Sequence, residues 1–429
     1  LLPESQEPPA QLLLAAGQAK GMVGREGDEL VRAVDAFERM GDADRAAECA
    51  VIVSWHLWHT RTHEATSWLE RALSLVEGRP PSRAKALVVA EQARRAMLAY
   101  DRATALALAL EAARLAEAVG DDEIRADALV TAGVVMATDG DRAGIEVLDD
   151  ALELVGHRGR VASRGDTNLS VAHMGFGDAD SALAALERGL ERSEREGDEQ
   201  GAWFLRGNLL GLVYALGEWD RALDLVRLFL HEQQESYMLS VARDVHARIL
   251  HARGVEGAFD EMRSSVARAR QLEDPQALWP SLIGFATLAR REGLESEWRA
   301  TLREVTAEIA ANPTVGDAQE WHIELVCELV AAGREGDARA LAERVPEGPW
   351  ADACLAVVEE RYVDAADILD SLANQPLQAE LRALAARRLA AQGRSADARA
   401  QLDRARAFWA RVGASAYLRD SDGLLVAAS

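Results

Sequence analysis

The feature that most constrains this chain is a break that recurs between pairs of helical stretches. Within Glu199–Glu235, Leu205, Leu209, Leu212, Val213 and Leu216 fall at i, i+4, i+7, i+8 and i+11, one apolar stripe of a helix, and Gly217-Glu218 ends it. A second helix follows, with Ala222, Val226, Phe229 and Leu230 inward. Two short helices joined by a glycine turn cannot bury both apolar faces alone, so such a unit needs copies of itself stacked on either side. The chain supplies them. A Gly is followed five residues later by a small residue in Gly177 to Ala182, Gly217 to Ala222, Gly333 to Ala338 and Gly393 to Ala398. The Gly permits the turn, an adjacent Asp often caps the next helix, and the Ala lets the paired helices approach closely. Tyr100, Trp219 and Tyr362 take the bulky position between them.

The same rhythm predicts helix pairs along most of the chain. After a Pro- and Gly-interrupted start, a helix from about Asp28 to Met40 precedes pairs near 45–59 with 63–76, 83–98 with 102–119, 122–138 with 141–155, 160–175 with 178–196 and 200–216 with 219–234. Later pairs are expected near 236–253 with 256–272, 276–292 with 295–311, 317–332 with 335–345, 350–360 with 362–373 and 377–392 with 395–411, before a last helix at about 414–427. In three repeats the residue five past the turn is large, namely Ile145, Phe259 and Trp298, so these read as degenerate copies.

Composition narrows the function classes. Lys and Arg total 48 against 71 Asp and Glu, a formal net charge of −23, which repels a polyphosphate backbone and argues against nucleic-acid binding unless a local basic patch overrides the field. Lysine occurs only at Lys20 and Lys85, and neither sits in a Gly-Lys-Ser/Thr context, so an intact P-loop is excluded. Cys49, Cys327 and Cys354 form no CxxC pair, which points away from a zinc ribbon or a disulfide framework and towards a reducing, cytoplasmic setting. No apolar run approaches the roughly 20 residues of a membrane span. Leu1-Leu2-Pro3-Glu4-Ser5 lacks both an initiator Met and a signal-peptide pattern, and reads as the cut end of a longer protein.

The paired-helix pattern resembles the tetratricopeptide repeat, whose period is about 34 residues; the longer spacing of the turns at Gly140, Gly177, Gly217, Gly254, Gly293 and Gly333 implies longer loops between pairs. The finish, Phe408-Trp409-Ala410-Arg411-Val412-Gly413-Ala414-Ser415-Ala416-Tyr417-Leu418-Arg419, is similar to the closing segment of large actinobacterial signalling proteins. Those proteins join a class III cyclase or a DNA-binding domain to a STAND-type ATPase and a C-terminal tetratricopeptide array. Ala46-Ala47-Glu48, the Trp-rich stretch after it and Trp68-Leu69-Glu70-Arg71-Ala72-Leu73 resemble the first repeat of the same arrays. The resemblance implies that any cyclase or ATPase chemistry lies upstream of Leu1.

Candidate chemistry is sparse. His56, His59 and His63 with Glu64 could share a helix face as metal ligands, but Thr60-Arg61-Thr62 sits at the expected turn, and polar residues beside a Trp cluster are the better reading. His63-Glu64-Ala65-Thr66-Ser67 lacks a zincin's second His, and no GxSxG elbow occurs. Cys327 near His322 reads as a small apolar residue rather than a nucleophile. Asp139-Gly140-Asp141 and Asp178-Ala179-Asp180 read as helix caps, since an EF-hand's later ligands are missing.

A groove is the better functional expectation. In tetratricopeptide arrays the first helix of each pair lines the concave face. Asn168 and Asn208 lie nine residues before Gly177 and Gly217, where peptide-clamping arrays carry Asn, although the accompanying lysines are missing. Arg164, Met174, Phe204, Gly211 and Tyr214 are expected on the same face, with Lys85, Arg95, Asp127 and Arg248 further along it.

The sequence therefore predicts an all-α, right-handed superhelical solenoid of about ten tetratricopeptide-like repeats. Residues 1–43 form an N-terminal linker and lead-in helix, 44–411 the array and 412–429 a C-terminal capping helix. The expected role is a non-enzymatic protein-interaction and sensor module without metal or cofactor, the regulatory part of a multidomain signal-transduction ATPase. It would bind a peptide or partner domain, including the upstream domains of the same protein, and neither nucleic acid nor membrane. The alternatives are a sugar or metabolite sensor, favoured by aromatic residues such as Trp203, Phe204 and Tyr214 on the concave face, and a self-associating scaffold.

Overall fold

The computed structural model describes residues 8–22, 28–58, 61–99, 101–232, 237–272, 274–311 and 320–427. Tyr100 and His59, singled out above, lie outside them. The described residues are 84% helical, with no strand among them. Helices α1 (Ala10–Met22) and α2 (Glu29–Arg39) lead into a succession of helix pairs. These are α3 (Ala43–Leu57) with α4 (Thr62–Val76), α5 (Arg83–Leu98) with α6 (Arg102–Val119), α7 (Asp122–Thr138) with α8 (Ala143–Leu154), α9 (Gly159–Gly175) with α10 (Ala179–Glu196) and α11 (Glu199–Ala215) with α12 (Trp219–Glu232). They continue as α13 (Tyr237–Arg253) with α14 (Ala258–Leu272), α15 (Pro275–Arg291) with α16 (Glu295–Ala311), α17 (Glu320–Ala331) with α18 (Glu335–Ala342), α19 (Pro349–Val358) with α20 (Tyr362–Ser371) and α21 (Gln375–Ala391) with α22 (Ser395–Arg411). Helix α23 (Ser415–Ala427) closes the series. This is the predicted all-α helical-repeat solenoid.

The turn chemistry behaves as the sequence dictates. Gly217 has φ +74°, its N–H donates to the Tyr214 carbonyl at 3.0 Å, and the Glu218 N–H donates to the Val213 carbonyl at 2.9 Å, so the last carbonyls of α11 are satisfied inside the turn. Ala182, Ala222, Ala338 and Ala398 are fully buried, which is what close approach of paired helices requires. Between α19 and α20 a non-glycine, Glu360, takes the left-handed conformation at φ +56°. The α7/α8 pair departs from the five-residue rule. Its closest approach uses Gly144, one residue earlier than Ile145, and a Cβ there would lie 2.3 Å from the Gly133 carbonyl oxygen. That repeat keeps the close contact by glycine against glycine instead of alanine.

The chain divides into two compact units, one comprising Leu1–Ala137, Asp141–Ala172 and Ala184–Leu205, the other Thr138–Gly140, His173–Leu183 and Arg206–Ser429. The first is cored by small and branched residues such as Ala33, Val34, Ala50, Val88 and Ala116, with the larger Phe37 among them. In the second, α13, α15 and α17 pack side by side, each backed by its partner α14, α16 or α18. Helix α23 does more than cover the end of α22: it packs on α21 and also on α13. The Ser415 hydroxyl donates to the Arg253 carbonyl at 2.8 Å, and the Arg253 guanidinium donates to the Val412 carbonyl at 3.1 Å. The Trp219 ring meets the edge of Phe408 at 5.7 Å. The second unit thus returns on itself across more than 150 residues, since Arg253 and Val412 are 159 apart.

These contacts separate two otherwise equivalent glycines. A Cβ on Gly217 would meet Phe408 Cε2 at 2.8 Å and Arg411 Nη2 at 2.9 Å, whereas one on Gly333, at φ +70°, meets nothing within 4 Å. Both Ala substitutions carry the left-handed strain of about 1–2 kcal/mol, and Gly217→Ala is expected to lose about a further 1–3 kcal/mol from overpacking. Denaturant midpoints of the two variants measure the difference, and equal losses would refute the closure contact.

Candidate ligand cavity in the second unit

Helices α11, α13, α15, α17, α21 and α23, with the start of α12 and the end of α22, surround a cavity of about 340 Å³. Its position follows from the repeat register. Arg248, Thr287, Cys327 and Arg387 each lie six residues before a turn glycine (Gly254, Gly293, Gly333 and Gly393), and all four line it. Glu324 and Leu384 lie nine before, the register of Asn168 and Asn208, and also line it. The first helices α13, α15, α17 and α21 therefore present equivalent positions to one space, whereas α19 does not line it.

One wall is aromatic. Tyr214 and Trp219 stack at 5.7 Å with 10° between their planes, and Tyr417 packs edge-on against Trp409 at 5.8 Å. The other walls are charged and cross-linked. Arg248 donates through Nε to Asp244 Oδ2 at 2.7 Å and through Nη1 to Glu324 Oε1 at 3.1 Å, joining α13 to α17. Its path crosses α15 at Gly284, where a Cβ would lie 2.7 Å from Arg248 Nη2. Arg290 grips Glu328 through Nε and Nη2, both at 2.8 Å, and the Trp298 indole donates to the same carboxylate at 2.8 Å. Arg291 pairs with Glu380 and lies 4.1 Å from the Tyr417 ring.

Burial and these partners set the ionisation. Burial would lower the Arg248 and Arg291 pKa, but Asp244 with Glu324, and Glu380, hold the two guanidiniums above their usual range. Arg387 shifts the other way: burial and the neighbouring Arg291 lower it. Asp244 is raised to about 6, chiefly by burial, against the pull of Arg248 and with help from Glu324. Its Oδ1 is buried without a hydrogen-bond partner. Tyr417 is pushed up to about 12 by burial, and burial with Glu328 drives the Cys327 thiol well above its ordinary value. The His251 imidazole, lowered by burial and Arg291, joins the Tyr417 hydroxyl at 3.2 Å to Glu292 at 3.0 Å.

The structure distributes the sequence-derived site residues unevenly. Tyr214 and Arg248 line this cavity. Gly211, on the Arg248 register, is half-buried with open space where a Cβ would sit. Asn208 and Met174 are half-buried in the same unit. Arg164, Asn168 and Phe204 belong to the first unit. There Arg164 is committed to internal bonds, donating to Asp127 Oδ1 at 2.9 Å and its carbonyl at 2.7 Å and to Thr131, while Asn168 donates back to the Arg164 carbonyl at 2.8 Å. Burial alone would raise Asp127, but Arg164, Arg160 and Arg94 hold its carboxyl below the usual value. Trp203 is buried, and His322 is buried and stacked on Trp321 at 3.8 Å. No cluster of three metal-ligating side chains occurs among the described residues.

No family model matches the chain, and no curated protein matches it. Among solved structures it is similar to Rap protein complexed with competence and sporulation factor, at TM-score 0.52 and 12% identity, covering 78% of this chain and 99% of that one. It is also similar to the APC/C hetero-tetramer Cut9–Hcn1, at TM-score 0.47 and 13% identity, covering 98% and 88%. The human IFIT1 dimer with PPP-AAAA aligns at TM-score 0.45 and 13% identity, covering 92% and 89%. The likeness to Rap is one of fold, a tetratricopeptide-type helical solenoid.

Asp244 gives the cavity a pH signature. Its folded pKa, about 6, lies above the roughly 3.9 of an unfolded Asp, so the stability it contributes is present below about pH 4 and is lost as pH rises through 6. The stability difference between wild type and Asp244→Asn should therefore change across pH 4–6.5 and level off above it, as read from denaturant titrations at each pH. A constant difference would refute the assignment.

Proposed function

We propose that this chain is a non-enzymatic sensor and protein-interaction module in which the cavity of the second unit takes a small ligand. The observation that carries this reading is the wall that α23 adds to the cavity through Tyr417. A space of about 340 Å³ walled by several helices matches the size of a compact molecule better than that of an extended peptide. Ligand binding would strengthen the hold on α23 and so shift the population of closed second units, which a partner domain would read. The lining chemistry supports binding over catalysis. Glu324, Glu328 and Glu380 are each held by an arginine, and the Cys327 thiol is kept from ionising.

The open space at Gly211, one helical turn from both Asn208 and Tyr214, favours a second use of the α11 face, as a seat for a segment of a protein partner. The resemblance of both chain ends to STAND-type signalling ATPases supports upstream ATPase domains in a cytoplasmic protein as that partner.

A thermal-shift screen against soluble metabolites tests the cavity reading. A ligand at about 100 times its dissociation constant adds about 2.7 kcal/mol to native stability and raises Tm. The shift should vanish in Thr287→Phe, which fills the cavity, and amide exchange in α23 should slow when ligand is bound. Absence of any metabolite shift, with partner domains stabilising wild type and Thr287→Phe equally, would sink it.

A further inference from the structure

The charges lining the cavity balance, and all but two are paired with one another. Arg248 holds Glu324 together with Asp244, which is not among the lining residues, Arg290 holds Glu328 and Arg291 holds Glu380. Arg387 on α21 and Asp420 on α23 remain. Both line the cavity, and neither has a hydrogen bond or ion pair among the described residues. They feel each other's charge without touching. A third polar group is also uncommitted: the Thr287 hydroxyl oxygen, on α15, is buried without a hydrogen-bond partner.

From this arrangement, and resting on the cavity reading above, we infer that the ligand is a zwitterionic free amino acid. Its carboxylate meets Arg387, its ammonium meets Asp420, and an apolar or aromatic side chain lies against Tyr214, Trp219 and Tyr417. A ligand with a net charge would leave one of the two exposed charges uncompensated in a lining whose other charges are paired. A wholly apolar one would bury Arg387 and Asp420 against nothing. An amino acid satisfies both, because its two charges are fixed a few bonds apart and match two groups on different helices. The Thr287 hydroxyl adds a hydrogen bond to the carboxylate. The same pairing ties α21 to α23 through the ligand, so an amino acid would fasten the closing helix directly.

Calorimetric titration of the full chain with L-phenylalanine, L-tyrosine and L-leucine tests the proposal, each beside its N-acetyl and its amide form. The free amino acid should bind about 10-fold or more tightly than either capped form, as loss of a charge-assisted hydrogen bond implies. Both charged residues are exposed, so their neutral variants should keep the wild-type Tm. Arg387→Gln should weaken the free amino acid while leaving the amide unaffected, and Asp420→Asn should do the same with respect to the N-acetyl form. Capped forms that bind as well as free ones, or variants that weaken all three forms alike, would overturn the inference. A non-zwitterionic metabolite whose binding is lost in Thr287→Phe would retain the cavity and exclude the amino acid; no ligand sensitive to Thr287→Phe would exclude both.

Discussion

A pair of helices of this length has two apolar faces and can cover only one of them by folding on itself. Everything else in the molecule follows from how the second face is buried. In most of the chain the answer is the next pair, while alanine or glycine inside each pair lets its two helices approach closely. In the second unit the answer changes at the end of the stack, where α23 finds α13 as well as α21. The inner face of that unit is partly covered by α23, while the lining residues Arg387 and Asp420 stay exposed.

Burial brings a second constraint, because the inner positions are rich in ionisable groups. A charge removed from water must be matched by a partner with good geometry, or it shifts its pKa. The cavity shows both results. Arg290 and Glu328 meet in a two-pronged contact, while Asp244, with one oxygen unbonded, titrates near 6. The cations there are arginines, and the chain has only two lysines. A planar guanidinium can bridge between helices, as Arg248 does in reaching Asp244 on its own helix and Glu324 on α17. That bridge exists because residue 284 is glycine.

The helix pairs were legible in the sequence because the 3.6-residue apolar stripe and the glycine turn are local signals. The close approach in the α7/α8 pair was missed because Gly144 precedes the expected position by one residue, and only a three-dimensional contact with Gly133 reveals it. Tyr214 and Arg248 were found by counting back from turns, but Glu324, Arg387 and Glu380 were not, since Arg and Glu are ordinary residues on exposed helix surfaces. Extending the six- and nine-residue registers to every turn would have found Arg387 and Glu324. Asp420 offers no such signal: α23 has no partner helix, and its place against α13 depends on a contact between residues more than 150 positions apart. Arg164 and Asn168 fit the expected register and yet serve an internal network around Asp127, because register fixes which way a side chain points and not what it meets.

The return of α23 onto α13 also bears on how the second unit assembles. Contacts between neighbouring helix pairs are local and can form early, since they close short loops. The bonds from Arg253 to Val412 and from Ser415 to Arg253 join residues more than 150 positions apart, so closing them costs more chain entropy than the contacts between neighbouring pairs. A linear repeat array can fray from either end at little cost, whereas a stack fastened end to end must release that fastening first. The α23 wall of the cavity thus rests on contacts of high loop-closure cost.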